Sequence, residues 1–215
     1  MSPWVAWAPT LAAEVAFAAA VWRWRRRARR YGPRAVVDLG RPEPLEAQTA
    51  AERAVWLPRL QALLRGWERV ALDFGCGVGR FTSDLAELLD GEAIGVDPVP
   101  EFLAQAPAHP RVRYERLRRA RLPLPDTSVD VVWACLVLGA LRGRPLLQRF
   151  AAEIRRVLRP GGLLFAVDHV RPGLQSRHYV GRSFEAYAAA FAPLPLRLLE
   201  PPDARGVAVF AGRRP

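Results

Sequence analysis

The stretch VALDFGCGVGR, residues 70–80, decides the fold of this chain. A short apolar run is followed by glycines at positions 75, 77 and 79, and helical periodicity begins near Arg80. This order predicts a strand, a tight glycine turn and a helix, which together open a β-α unit. The spacing is G-x-G-x-G, and the dinucleotide fingerprint G-x-G-x-x-G would need glycine where Arg80 stands. The sequence contains no lysine, so a Walker loop is excluded.

A second short apolar run ends in an acid. Residues 92–97 read EAIGVD, which places Asp97 at the predicted end of the next strand, 18 residues after Gly79. In nucleotide-binding folds, an acid at this place accepts hydrogen bonds from ribose hydroxyls. The glycine turn together with Asp97 therefore indicates a site for a nucleoside cofactor.

The remainder of the chain continues the alternation. Apolar runs at 112–114, 129–135 and 163–167 predict strands, and helices are predicted near 100–106, 146–158 and 183–191. Two last strands are predicted at 196–199 and 207–210. Strands that are apolar throughout are typical of a parallel sheet covered by helices on both faces. The class is therefore α/β.

Composition is that of a globular protein, with 51% apolar and 25% charged residues. The net charge of +11 invites a nucleic-acid interpretation. All 32 basic residues are arginine, however, and asparagine is absent as well, a bias typical of a GC-rich genome. A nucleic-acid partner is therefore not favoured. Two cysteines without metal-ligand spacing predict no disulfide framework and no metal site, and they fit a cytoplasmic location.

The first 68 residues precede the α/β pattern. Residues 3–22 are apolar except for Thr10 and Glu14, and RWRRRARR follows at 23–30. Residues 1–30 therefore predict a helix that spans a membrane, lies on its cytoplasmic face, or packs on the domain.

A central acid such as Glu14 costs about 2.5–3.5 kcal/mol in a spanning helix. Tryptophans at 4, 7, 22 and 24 flank the apolar run, so we favour membrane association.

Residues 31–68 predict a linker followed by cap helices. Residues 31–45 predict a linker with a short extended piece, because three prolines and two glycines interrupt any helix there. Residues 46–65 have helical periodicity that Pro58 interrupts, which predicts one kinked helix or two short ones. The α/β domain would then occupy residues 69–215.

Four motifs occur in register between residues 69 and 168. They are DFGCGVG at 73–79, GVD at 95–97, LPLPDTSVDVVWACLVLGAL at 122–141, and EIRRVLRPGGLLF at 153–165. In this order they resemble class I S-adenosylmethionine-dependent methyltransferases, most closely the small-molecule enzymes with an LPFPDxSFD-type segment. The resemblance implies a Rossmann-like doubly wound sheet, mostly parallel with an antiparallel last strand, after an N-terminal helical extension. It also implies S-adenosyl-L-methionine as cofactor and a small-molecule or lipid-like acceptor.

The same resemblance assigns the cofactor contacts. Asp73 would lie near the methionyl amino group, Asp97 would hold the ribose, and the helix N-terminus after Gly79 would suit the carboxylate. Residues 134–138 would border the reacting methyl group. The predicted cofactor-binding residues are Asp73, Gly75, Cys76, Gly77, Gly79, Asp97, Pro98, Ala134 and Cys135.

A catalytic base is harder to assign. A histidine that often follows the fourth strand in the family is replaced by Leu138-Gly139-Ala140. His169, which follows the fifth strand, is the preferred candidate base, and a structural histidine is the alternative. Two other functions stay open: an RNA or DNA methyltransferase, and a non-catalytic cofactor-binding protein of the same fold. All of these functions use the same cofactor, so each of them requires that the Asp97 carboxylate faces the glycine turn and that no bulky side chain fills the space between them.

Overall fold

A seven-stranded sheet forms the centre of the molecule. The computed structural model describes residues 4–215, with side chains from residue 11 onward. Residues 1–3 of the predicted N-terminal segment, and the side chains of Trp4 and Trp7, lie outside this description. The strand order is β3-β2-β1-β4-β5-β7-β6. Neighbouring strands from β3 to β5 are parallel, and β7 is antiparallel to both β5 and β6. The predicted Rossmann-like sheet with an antiparallel last strand is confirmed.

The strands and helices have the following bounds. The strands are β1 (Val70–Phe74), β2 (Glu92–Asp97), β3 (Val112–Arg116), β4 (Val129–Cys135), β5 (Leu158–His169), β6 (Arg197–Leu198) and β7 (Val207–Arg213). The helices are α1 (Trp4–Tyr31), α2 (Leu45–Gln61), α3 (Thr82–Leu88), α4 (Pro100–Leu103), α5 (Arg144–Val157) and α6 (Phe184–Phe191), with 3₁₀ turns at Gly32–Val36 and Leu138–Ala140.

Strand β5 is longer than the apolar run predicts. It starts at Leu158, directly after α5, and Leu158 pairs with Val129. The register then shifts, so that Val131 pairs with Leu163. The Pro160-Gly161-Gly162 segment is predicted to stop the helix, but α5 already ends at Val157 and the segment forms an irregularity within β5, where Gly161 adopts a φ of +77°.

Helix α1 packs against the domain. Ala13, Phe17 and Ala20 are buried in the main core, and the ring of Phe17 lies 6.0 Å from that of Phe150 on α5. The Glu14 carboxylate accepts a hydrogen bond from the Ala120 backbone N–H at 3.2 Å, so a protein donor joins water in solvating this half-buried charge. One face of the helix is therefore an integral part of the fold. Within residues 4–215, no helix has the length and apolar character needed to cross a bilayer.

The segment between α1 and β1 differs from its prediction in one respect and agrees with one of the predicted alternatives in another. The expected extended piece is wrong: Gly32–Val36 is a 3₁₀ turn, because Pro33 fixes φ at the start of a helical turn. Residues 45–61 form one helix that contains Pro58. Pro58 lies three residues before Gln61, the last residue of α2. The backbone hydrogen bond that proline cannot donate is therefore lost in the C-terminal part of the helix, and the helix continues through it.

Candidate active site

The glycine turn after β1 is held against the end of β2. The Gly75 and Cys76 N–H groups donate to the Val96 carbonyl at 2.8 and 3.2 Å. Gly75 and Gly77 have φ values of +73° and +57°, a region that favours glycine. A side chain at Gly75 would collide with Val137, and one at Gly77 would collide with Val36. The turn therefore needs glycine for both its backbone angles and its close neighbours.

Asp97 faces this turn. Its Oδ2 accepts a hydrogen bond from Gly77 N–H at 3.0 Å, and its Oδ1 accepts one from Val99 N–H at 2.8 Å. Each carboxylate oxygen has two acceptor sites, so both oxygens retain capacity for a ligand hydroxyl. Burial raises the pKa of Asp97 to about 6, although the two backbone hydrogen bonds favour the ionised form.

Asp73 is a second buried carboxylate, at the end of β1. Its Oδ2 accepts a hydrogen bond from the Thr82 hydroxyl at 2.6 Å. Burial raises its pKa to about 7, against the opposing effects of Thr82 and Arg80. Two carboxyl groups thus line the site, and in their ionised forms they attract a cationic ligand.

A cleft opens between these carboxylates and the N-terminal helices. The cleft has a volume of about 120 Å³, and its mouth is open to solvent. Five of the described residues that line it are ionisable: Asp73, Cys76, Arg80, Asp97 and Cys135. Burial raises the pKa values of both cysteines well above the usual range, so each thiol is protonated at neutral pH.

The other side of the cleft is apolar. Helix α1 contributes Phe17, Ala20, Val21 and Trp24, and the 3₁₀ turn contributes Val36. The facing wall comes from the region after β4 and from α5. This wall consists of Leu136, Val137, Ala140, Leu141, Leu146 and Phe150.

Sequence patterns missed a buried ion pair at the cleft. Arg80 and Glu52 form a salt bridge in which their side chains are only 8% and 9% exposed. The Arg80 Nη1 atom is buried, and no described atom bonds to it. The two residues are 28 positions apart, on α2 and on the glycine turn, so no local periodicity could have joined them.

The turn after β4 is anchored by Asp168 at the end of β5. Its Oδ2 accepts hydrogen bonds from the N–H groups of Leu138 and Gly139, at 2.8 and 3.2 Å. Its Oδ1 accepts bonds from the hydroxyls of Tyr179 and Tyr187. Asp168 is fully buried and positions the loop that borders the apolar side of the cleft.

His169 lies away from the cleft in the described structure. Its Nδ1 faces the Arg205 carbonyl at 3.3 Å, and its ring packs edge-on against Tyr179. Burial lowers its pKa, which favours the neutral imidazole. His169 is not among the described residues that line the cleft, and its catalytic role stays a prediction.

The structure brings most of the predicted cofactor residues together. Seven of them line the cleft: Asp73, Gly75, Cys76, Gly77, Asp97, Pro98 and Cys135. Gly79 instead lies against the Tyr114 ring, and Ala134 is buried in the core. Helix α3 begins at Thr82, two residues later than predicted, and it has only seven residues.

Comparisons with known proteins agree with this geometry. Residues 72–166 match the family model described as a methyltransferase domain. An uncharacterized methyltransferase of Mycobacteroides abscessus is 37% identical over 59% of this chain and 49% of its own length. A thiol S-methyltransferase of Mus musculus is 39% identical over 49% of this chain and 45% of its own length. The chain spans about half the length of these curated relatives.

Among solved structures, DhpI in complex with SAH superposes with a TM-score of 0.68 at 20% identity, covering 91% of this chain and 95% of DhpI. At this identity the likeness concerns the fold.

The fold, the glycine turn and the family match define a class of protein. Residues 72–166 match a methyltransferase domain, and the sheet that contains them has the class I methyltransferase fold. The cofactor of this protein is S-adenosyl-L-methionine, and the site fits that molecule. Two buried carboxyl groups, Asp73 and Asp97, line the cleft, and Asp97 is hydrogen-bonded directly to the glycine turn.

Proposed function

We propose that the protein transfers a methyl group from S-adenosylmethionine to a small, apolar acceptor, either a small molecule or a lipid-like molecule. The observation that carries this proposal is that Asp97, the glycine turn and apolar residues of α1 all line the same cleft. The sulfonium of the bound cofactor supplies an activated methyl group. The protein's task is then to align the acceptor and to exclude water.

The chemistry of the apolar side favours a thiol as the acceptor group. A hydroxyl acceptor must lose a proton and gains from a base, whereas a cysteine-like thiol has an ordinary pKa near 8.5 in water and loses its proton far more readily than a hydroxyl. Among the described residues that line the cleft, none is a histidine or glutamate, and both carboxylates lie on the cofactor side. The relative named as a thiol S-methyltransferase supports the same choice.

The alternative of a nucleic-acid acceptor has less support. The basic run from Arg111 to Arg121 begins with arginines that form ion pairs: Arg111 with Asp90 at 2.8 Å, and Arg113 with Glu115 at 3.1 Å. Pairing reduces the positive field that would attract phosphates. Steep loss of binding to RNA with rising salt would favour this alternative.

We also propose that the exposed face of α1 attaches the protein to the cytoplasmic face of a membrane. Leu11, Val15 and Trp22 are 67%, 63% and 54% exposed, and their spacing of four and seven residues places them on one helix face. Arg26 continues this face, with its guanidinium 4.9 Å from the Trp22 ring. An apolar stripe that ends in arginines suits a helix lying at the surface of an anionic bilayer.

A binding and transfer assay tests the proposed reaction. Calorimetry with S-adenosylmethionine should show binding to the wild type, and Asp97→Asn should weaken it about 10- to 100-fold, because charged hydrogen bonds to ribose are lost. Asp90→Asn, at an exposed carboxylate, is the matched control. With labelled cofactor, an alkyl thiol should accept methyl groups faster than an alcohol of the same shape. Absence of binding by the wild type would refute the enzyme assignment.

A further inference from the structure

Arg80 occupies an unusual position for a buried cation. Its guanidinium lines the cleft and donates from Nη2 to Glu52, while Nη1 has no hydrogen-bond partner among the described residues. A buried donor that stays unpaired costs about 1–3 kcal/mol, and more when it is charged. Such an atom in the wall of a binding cleft is a place where a ligand acceptor is expected.

The chemistry of the missing acceptor follows from the neighbouring charges. Arg80, Asp73 and Cys135 line the same cleft, and the charge of Arg80 opposes the burial that raises the pKa values of the other two. Asp73 is the group suited to the methionyl ammonium. The other charged group on the same carbon is a carboxylate, and guanidinium is the side chain best suited to bind it.

We propose that Arg80, held in place by Glu52 of α2, binds the methionyl carboxylate of S-adenosylmethionine. This inference rests on the proposed function, since it assumes that the cleft holds this cofactor. Arg80, rather than the helix N-terminus expected from the sequence, is then the partner of the carboxylate, because α3 has only seven residues and begins at Thr82. Glu52 is a positioning residue, which links the cap helix α2 to cofactor binding without contacting the cofactor.

The pair also explains why a buried ion pair occurs in this wall. Burying two opposite charges often costs as much as their attraction returns. Burial raises the pKa of Glu52 even though Arg80 lies beside it. A ligand carboxylate beside Nη1 would supply the hydrogen-bond acceptor that this atom lacks among the described residues.

The test compares two ligands that differ only by the carboxylate. Calorimetry is done with S-adenosylmethionine and with decarboxylated S-adenosylmethionine, on the wild type, Arg80→Gln, Arg80→Lys and Glu52→Gln. Arg80→Gln should lower affinity for S-adenosylmethionine about 10- to 100-fold and leave affinity for the decarboxylated ligand within about threefold. Arg80→Lys should recover part of the loss. Glu52→Gln should show a smaller loss, confined to the ligand with the carboxylate.

The controls separate binding from folding. Arg80→Gln leaves Glu52 buried without a partner, so the double variant Arg80→Gln/Glu52→Gln, which removes both charges, repeats the measurement in a chain without that cost. Arg113→Gln, on the exposed edge strand, is the matched arginine control. Equal losses for the two ligands, or no loss for either, would overturn the inference. If the wild type binds neither ligand, the proposed function itself fails, which is a distinguishable result.

Discussion

The two sides of the cleft are built from different parts of the chain. The proposed cofactor side comes from the ends of β1 and β2, and it carries Asp73 and Asp97 with their hydrogen bonds to Thr82 and to the glycine turn. The proposed acceptor side comes largely from α1 and α5, and its described residues are apolar. The difference follows from the ligands. The polar groups of the cofactor need hydrogen-bonding and charged residues at fixed strand ends, whereas an apolar acceptor needs only an apolar surface of suitable shape.

The largest effect is expected where α1 joins the acceptor side. Phe17 is 6% exposed and packs on Phe150, so Phe17→Ala should lower the free energy of unfolding by about 3–5 kcal/mol. Val15→Ala, on the exposed face of the same helix, should change it by less than about 0.5 kcal/mol. Urea denaturation of both variants measures the difference. Equal stabilities would mean that α1 is not docked as described.

The cofactor side should respond to pH, and the acceptor side should not. The pKa values of Asp73 and Asp97 are raised to about 7 and about 6 by burial. Their protonation removes the charge that attracts the cofactor, so affinity for S-adenosylmethionine should fall about tenfold or more between pH 8 and pH 5.5. Calorimetry across this range checks it, and a flat profile would contradict it.

The same two groups should affect the cofactor-free protein with the opposite sign. Between about pH 4 and pH 7, the folded chain binds protons that the unfolded chain releases. Their contribution to the free energy of unfolding therefore falls as pH rises through this window. Asp97→Asn should reduce the slope, which thermal unfolding at several pH values would measure.

The smallest effect concerns the outer face of α1. Replacing Leu11, Val15 and Trp22 together by serine should lower binding to vesicles that contain anionic lipid several-fold, with little change in stability. Leu198→Ser, at an exposed leucine on β6, is the matched control, and vesicles of neutral lipid test the role of the arginines. Equal sedimentation of all these variants with vesicles would contradict membrane attachment.

Sequence patterns predicted the cofactor side more fully than the acceptor side. The glycine turn and Asp97 are each local signals, because backbone angles and strand ends constrain single positions. The Arg80–Glu52 pair and the place of Phe17 depend on how α1 and α2 fold back on the sheet, and this has no periodic signature. The 3₁₀ turn at Gly32–Val36 was missed because proline permits both extended and helical turns.

Residues 4–36 form one continuous piece of backbone, α1 followed by the 3₁₀ turn, and this piece touches both ligands' places. Phe17, Trp24 and Val36 line the apolar side of the cleft, and Val36 also lies against Gly77 of the glycine turn. Displacing residues 4–36 would uncover the proposed cofactor side and the proposed acceptor side together. Cleavage of residues 4–36 by limited proteolysis should therefore release acceptor and cofactor together. In the intact enzyme, the exchange rates of both ligands should depend on the movement of this segment.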